Sequence, residues 1–315
     1  LIKFHYYDSV ILNEFVDKQD IHPYFKQRKW NKQSGYLKSR VHEIDCPLPL
    51  ASTVCPMPRD LNNVELDFSK VMDSITESVC NSIIQKNQQP YLFYSGGVDS
   101  VSILVAMLRN ANKDFLERLT IVCNRLSFQE NPYFYDRFIK DKFSIIDTDV
   151  FKLDQTNFDD VVILDGEMGN QIMGSVDIYD YVFKNQFDVL SDPYENIFKS
   201  SFTEQDLYVI NSVIESLKFA PIKIRRLHDF LWWANFNFRT DHVLLHKISI
   251  FTGNMDSDKR KLFFKNNIVR IYSHEEMQKW SLATVELRLE YLKKTTKYFP
   301  KKYIFDFDKN EIWFL

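Results

Sequence analysis

Apolar residues first recur at sustained helical spacing near Leu66. Phe68, Val71, Met72, Ile75, Val79, Ile83 and Ile84 fall on one face, which predicts an amphipathic helix over about 67–86. Gln88-Gln89-Pro90 ends it. A compact alternation follows. Tyr91-Leu92-Phe93-Tyr94 reads as a buried strand and 101–108 as a helix. Leu119-Thr120-Ile121-Val122-Cys123 reads as a second strand, 131–142 as a helix, and Phe143-Ser144-Ile145-Ile146 as a third strand. Val161-Val162-Ile163-Leu164 is a fourth. This rhythm predicts an α/β fold, a parallel sheet with helices on both faces. Ligands of such sheets lie beyond the carboxyl ends of the strands.

The flanks differ. Residues 1–65 mix aromatics and charges without period, and Pro47, Pro49, Pro56 and Pro58 interrupt them. They predict an irregular or small β-containing segment. Beyond 175 helical spacing dominates, over 201–218, 224–238, 240–251 and 275–295. The expected organisation is an N-terminal segment (1–65), an α/β core (66–175) and a helical C-terminal subdomain (176–315) that completes a cleft.

Composition narrows the function classes. The 315 residues are 45% hydrophobic and 26% charged, ordinary for a globular chain with a substantial core. A net charge of −3 gives no global basic field, so nucleic acid is not an expected partner. Lys293-Lys294 and Lys301-Lys302 read as solvated helix faces. Cys46, Cys55, Cys80 and Cys123 show no metal-ligand spacing, and Cys80 and Cys123 read as buried reduced thiols. No apolar run reaches the ~18–20 residues that span a bilayer, so no membrane partner and a cytoplasmic location are expected.

Glycine placement carries the chemistry. Five of the seven glycines lie in two motifs, Ser95-Gly96-Gly97-Val98-Asp99-Ser100 and Gly166-Glu167-Met168-Gly169-Asn170-Gln171-Ile172-Met173-Gly174. Each follows a strand. Gly96 and Gly97 let backbone N–H groups meet phosphate oxygens, and the helix beginning near Ser100 adds its positive end. Ser95 and Ser100 offer hydroxyl donors. Asp99 suits Mg²⁺ bridging phosphate oxygens. The Walker A pattern is absent.

The first motif resembles the PP-loop of the N-type ATP pyrophosphatases, which cleave ATP between the α- and β-phosphates. With the second motif, the chain resembles the synthetase domain of the asparagine synthetase family, most clearly over 91–175. That likeness implies an adenine nucleotide alpha hydrolase-like fold. It implies an ATP-dependent carbon–nitrogen ligase with ATP and Mg²⁺. A carboxylate is adenylated, with release of pyrophosphate, and the acyl group then passes to ammonia or another amine. Ser95, Gly96, Gly97, Asp99 and Ser100 would hold the pyrophosphate and metal, with Gly166 and Gly169 in the facing loop. Asn170 stands where the family has a second metal-binding aspartate, and Gln171 replaces another acid. Glu167 matches the loop glutamate near the reacting acyl group. Adenine would lie near Phe93 and Val122. Arg270 and the Arg239-Thr240-Asp241 segment also align, whereas Ile268 replaces a family acid. A C-terminal lysine contacts the leaving phosphates in the family; Lys294 and Lys297 are candidates, and Lys297 is preferred. About 65 residues precede this part and none of the first 45 is Cys, so no glutamine-hydrolysing half is expected. Ammonia would come free or from a separate subunit.

Two alternatives stay open. One is adenylation of a nucleobase, tRNA or peptide. The other is an ATP-binding or scaffold protein that has lost catalysis, which Asn170, Gln171 and Ile268 favour. His242 and His246, four apart, read as structural rather than as metal ligands. Phe230, Trp232, Trp233, Phe236 and Phe238 read as core rather than as a base-stacking platform.

Overall fold

The computed structural model describes residues 40–41, 56–58, 60–148, 151, 160–174, 188, 190–199, 211, 214–239, 263, 266–292 and 295–314. The predicted helix 240–251, His242, His246, Asp241, Lys293, Lys294, Cys46 and Cys55 lie outside them, as does most of 201–213. Two compact units emerge: residues 60–169 with 254–315, and residues 1–59 with 170–253.

The first unit opens with α1 (Phe68–Gln85), whose N-terminus is capped by the Asp67 carboxylate accepting from Ser69 N at 2.8 Å. Next come β1 (Gln89–Phe93), α2 (Val98–Asn110), α3 (Lys113–Arg118) and β2 (Thr120–Cys123). Then α4 (Arg125–Glu130), α5 (Pro132–Phe138), β3 (Ser144–Asp147) and β4 (Val161–Asp165) follow. The helix read over 131–142 is therefore two short helices. Asn124 caps the first and Asn131 the second, each accepting from the backbone N–H three residues on. Two side-chain caps seven residues apart in sequence start two helices where a continuous reading has one.

All five strands are parallel, in the order β3-β2-β1-β4-β5, with β5 only Ile268–Val269. Leu92 of β1 sits between Ile121 of β2 and Leu164 of β4. Every residue of β2 is buried, as expected of an interior parallel strand. Edge strand β3 is largely exposed. The α/β parallel sheet expected from the alternation is present. Winding reverses between β1 and β4, so the carboxyl ends of these neighbours form the switch point where such sheets bind ligands. Each glycine motif starts at one of those two ends.

The chain beyond β5 lies beside this sheet in the same unit. A helix was expected over 275–295; instead α8 (Glu275–Ala283) stops at Thr284 and α9 (Val285–Leu292) begins anew. The Thr284 hydroxyl donates to Trp280 O at 2.6 Å, a local bond that competes with the helical ladder. The last long helix, α10 (Tyr298–Asp308), carries Pro300 in its first turn, where its missing N–H costs nothing. Asp73 of α1 ties the helices together. Its carboxylate accepts from Arg109 Nη2 at 3.0 Å and Asn110 Nδ2 at 2.7 Å on α2, and from the Tyr303 hydroxyl on α10. Phe68 meets Trp280 and Tyr303 edge-on beside this knot.

α6 (Gly169–Met173) ends at Gly174, whose φ of +100° is the left-handed stop that glycine allows. α7 (Leu227–Ala234) continues into a π-turn over Asn235–Arg239. Phe230, Trp232, Trp233 and Phe236 are all buried, in keeping with the core reading. Trp233 Nε1 donates to Ser216 Oγ at 2.7 Å, and Tyr194 stacks on Phe230. Burial raises the Asp229 carboxyl, but hydrogen bonds from His228, from Arg226 and from the Arg225 main chain outweigh it and hold the group down at about 2.

Candidate functional site

The loop after β1 is shaped by its own serines. Ser100 Oγ donates to Gly97 O at 3.1 Å and accepts from Ser95 N at 3.2 Å. Ser95 Oγ lies 3.1 Å from Ser100 Oγ and accepts from Gly97 N at 3.3 Å. Ser100 is buried and hydrogen-bonded within the loop, so it helps hold the loop's shape. Ser95 is exposed and can turn its hydroxyl outward. Gly97 is the N-cap of α2, so no N-cap side chain meets the first N–H groups of that helix.

Gly96 needs to be glycine twice over. Its φ is +87°, and a Cβ would lie 2.3 Å from Ser127 O. A Cβ on Gly97 would lie 3.0 Å from Glu130 Oε1, so the Glu130 carboxylate lies against the loop at Gly97. That acid went unnoticed in the sequence because nothing in its spacing sets it apart.

The second glycine motif closes on the first. A Cβ on Gly166 would lie 2.9 Å from Ser100 N, and one on Gly169 would lie 2.3 Å from the Asp99 carboxyl carbon. Both glycines are gaps that admit the start of α2. Asn170 follows Gly169 and is half-buried. Glu167 lies in the turn between β4 and α6, its N–H donating to Asp165 Oδ1 at 3.1 Å.

Asp99 is the centre of the arrangement. Lys297, at the N-cap of α10, donates from Nζ to Asp99 Oδ2 at 2.6 Å. Both side chains are about four-fifths buried, with exposures of 17% and 19%. The other oxygen, Asp99 Oδ1, is buried without a hydrogen-bond partner. A buried carboxylate oxygen left open is costly unless a cation or donor meets it. Among the described residues no group of three or more His, Cys, Asp or Glu could hold a metal. An open carboxylate oxygen of this kind can meet a cation or a hydrogen-bond donor. Beneath it, Ser102 Oγ donates to Asp99 O at 2.9 Å and lies 2.6 Å from the buried Tyr272 hydroxyl. Burial, then the Asp99 charge, pushes the Tyr272 phenol well above its usual value.

Asp165 was also missed, although an acid closing a buried strand just before Gly166 was a readable signal. Arg270 Nε donates to both of its oxygens at 3.0 Å, and both side chains are buried. This pair ties the end of β4, and hence the Glu167 turn, to the segment after β5. Phe93, half-buried, meets Phe151 edge-on at 5.2 Å. Val122 is fully buried with its carbonyl accepting from Tyr94 N, so it presents no surface to a ligand.

The sequence matches no family model and no curated protein.

Proposed function

We propose that this protein is an ATP-dependent amide-forming ligase of the asparagine synthetase type, built on a PP-loop fold. The observation that carries the reading is the surround of Asp99. A glycine loop at the sheet's switch point, a second glycine loop and a lysine from the far end of the chain meet on one carboxylate.

In this reading the uncapped N–H groups of α2, Ser95 and the Gly96-Gly97 backbone cradle the β- and γ-phosphates. Asp99 would hold Mg²⁺, which when bound neutralises charge on the phosphate oxygens. A substrate carboxylate attacks the α-phosphorus, the bond to the bridging oxygen breaks, and pyrophosphate leaves with its charge on Lys297. An amine then attacks the acyl carbon and AMP departs. Glu167 positions the amine or takes its proton.

The test uses α-labelled ATP, Mg²⁺ and a small-metabolite extract, with and without aspartate and ammonia. Substrate-dependent AMP matched by pyrophosphate supports the ligase. ATP that binds yet stays intact under every condition favours the second reading, a nucleotide-binding protein without turnover. The neutral Asn170 and Gln171 speak for that alternative.

A further inference from the structure

Lys301 reads in the sequence as half of a solvated lysine pair, yet the structure half-buries it. It lies one turn beyond Lys297, its backbone N–H donating to Lys297 O at 3.2 Å. Side chains on a helix lean toward its N-terminus, and the Lys301 ammonium follows, donating to Thr295 Oγ1 at 2.7 Å just ahead of Lys297. Among the described residues no carboxylate pairs with Lys301, whereas its neighbour Lys302 pairs with Asp306.

Two ammonium groups thus crowd the start of α10, and Asp99 is the carboxylate that answers one of them. The arrangement runs against helix stability. Like charges four residues apart repel, and cations oppose the positive end of a helix. Lys297 also adopts left-handed backbone, with φ 55° and ψ 39°. Burial, then the Lys297 charge, lowers the Lys301 pKa. Excess positive charge held partly out of water is matched by a ligand with several negative charges in a small volume.

We propose that Lys301 is a second pyrophosphate-binding cation, gripping the departing β- and γ-phosphates together with Lys297. This rests on the phosphate-site reading above and adds a residue to it. When nucleotide binds, Lys297 leaves Asp99 for the phosphates, and Lys301 meets the same anion from the next turn.

The test is equilibrium binding of Mg²⁺-pyrophosphate and of ATP to the full chain. Lys301→Gln is expected to weaken pyrophosphate binding about tenfold, the loss of one charge-assisted bond. Lys301→Arg should recover most of that affinity, and Lys302→Gln should bind like wild type. Thermal melts establish that each variant is folded. A folded Lys301→Gln chain with wild-type affinity, or a Lys302→Gln chain that loses as much, overturns the assignment. If wild type binds ATP and only the Lys301 comparison fails, Lys301 alone is removed. If wild type binds neither ligand, the phosphate-site reading falls with it.

Discussion

Lys297 and Asp99 stand 198 residues apart in the chain and 2.6 Å apart in space. The contact places a cation on one carboxylate oxygen of Asp99, while the other oxygen is buried and open. The pair is a charge-matched resting state, because each group would otherwise be mostly desolvated and alone.

Lys297→Met should therefore have two opposite effects. AMP formation is expected to fall by about 10²–10³, the usual loss when a fixed donor to a developing anion is removed. Binding of Mg²⁺ without nucleotide should tighten, because Asp99 no longer has a competing cation. Asp99→Ala should abolish AMP formation altogether. Product analysis and metal titration of the same preparations check both; an Asp99→Ala chain with an unaffected rate would remove the mechanism.

Gly169→Ala tests the fit of the second loop without touching a charge. A methyl group there would enter the Asp99 carboxylate, 2.3–2.5 Å from its three atoms. Either the loop or the carboxylate must shift, and displacement of about 1 Å at a reacting site costs on the order of 10²-fold. Circular dichroism should stay native while single-turnover AMP release drops. Gly96→Ala is expected to behave differently. It meets backbone at Ser127 and forces a positive φ on alanine, so it should lower the melting temperature as well.

The sheet was legible in the sequence and its completion was not. The four runs read as strands, 91–94, 119–123, 143–146 and 161–164, stand out because each is rich in apolar residues, as interior parallel strands are. β5 is two residues long, below any periodic signal. α10 mixes lysine, aromatics and an early proline, so no stripe announces it, yet it carries Lys297. The glycine loops were readable because glycine is otherwise scarce here. Their mutual packing was not, since a gap reveals its partner only when the chain is folded. Ser100 shows the same limit: its residue type suggests a phosphate donor, and its hydrogen bonds make it a brace.

Arg270 and Asp165 allow a cleaner energetic experiment. Removing one member of a buried ion pair strands the other, which costs about 3–5 kcal/mol. Arg270→Met should lower the free energy of urea unfolding by roughly that amount. The double variant Arg270→Met with Asp165→Asn should recover part of it, because no charge is left stranded. A double variant as unstable as the sum of the two singles would mean that the residues act independently.

Cys80 makes a prediction at alkaline pH that does not depend on function. It is fully buried on α1 and unpaired, and burial pushes its thiol from 9.0 up to about 12. In the unfolded chain the thiol ionises near its ordinary value, so between pH 9 and 12 the folded chain holds a proton that the unfolded chain has released. Its stabilising contribution is whole below about pH 9 and is lost as pH rises toward 12, at up to about 1.4 kcal/mol per pH unit. Cys123 follows the same course for the same cause, with the Asp147 charge adding to burial. Urea unfolding of wild type and Cys80→Ala at about pH 8 and about pH 10.5 isolates the effect, because every other titrating group cancels in the difference. The alanine variant is expected to start less stable, from its cavity, and to lose less between the two pH values. Parallel losses would show that the thiol is not held protonated, and with it that α1 is less tightly packed than its burial implies.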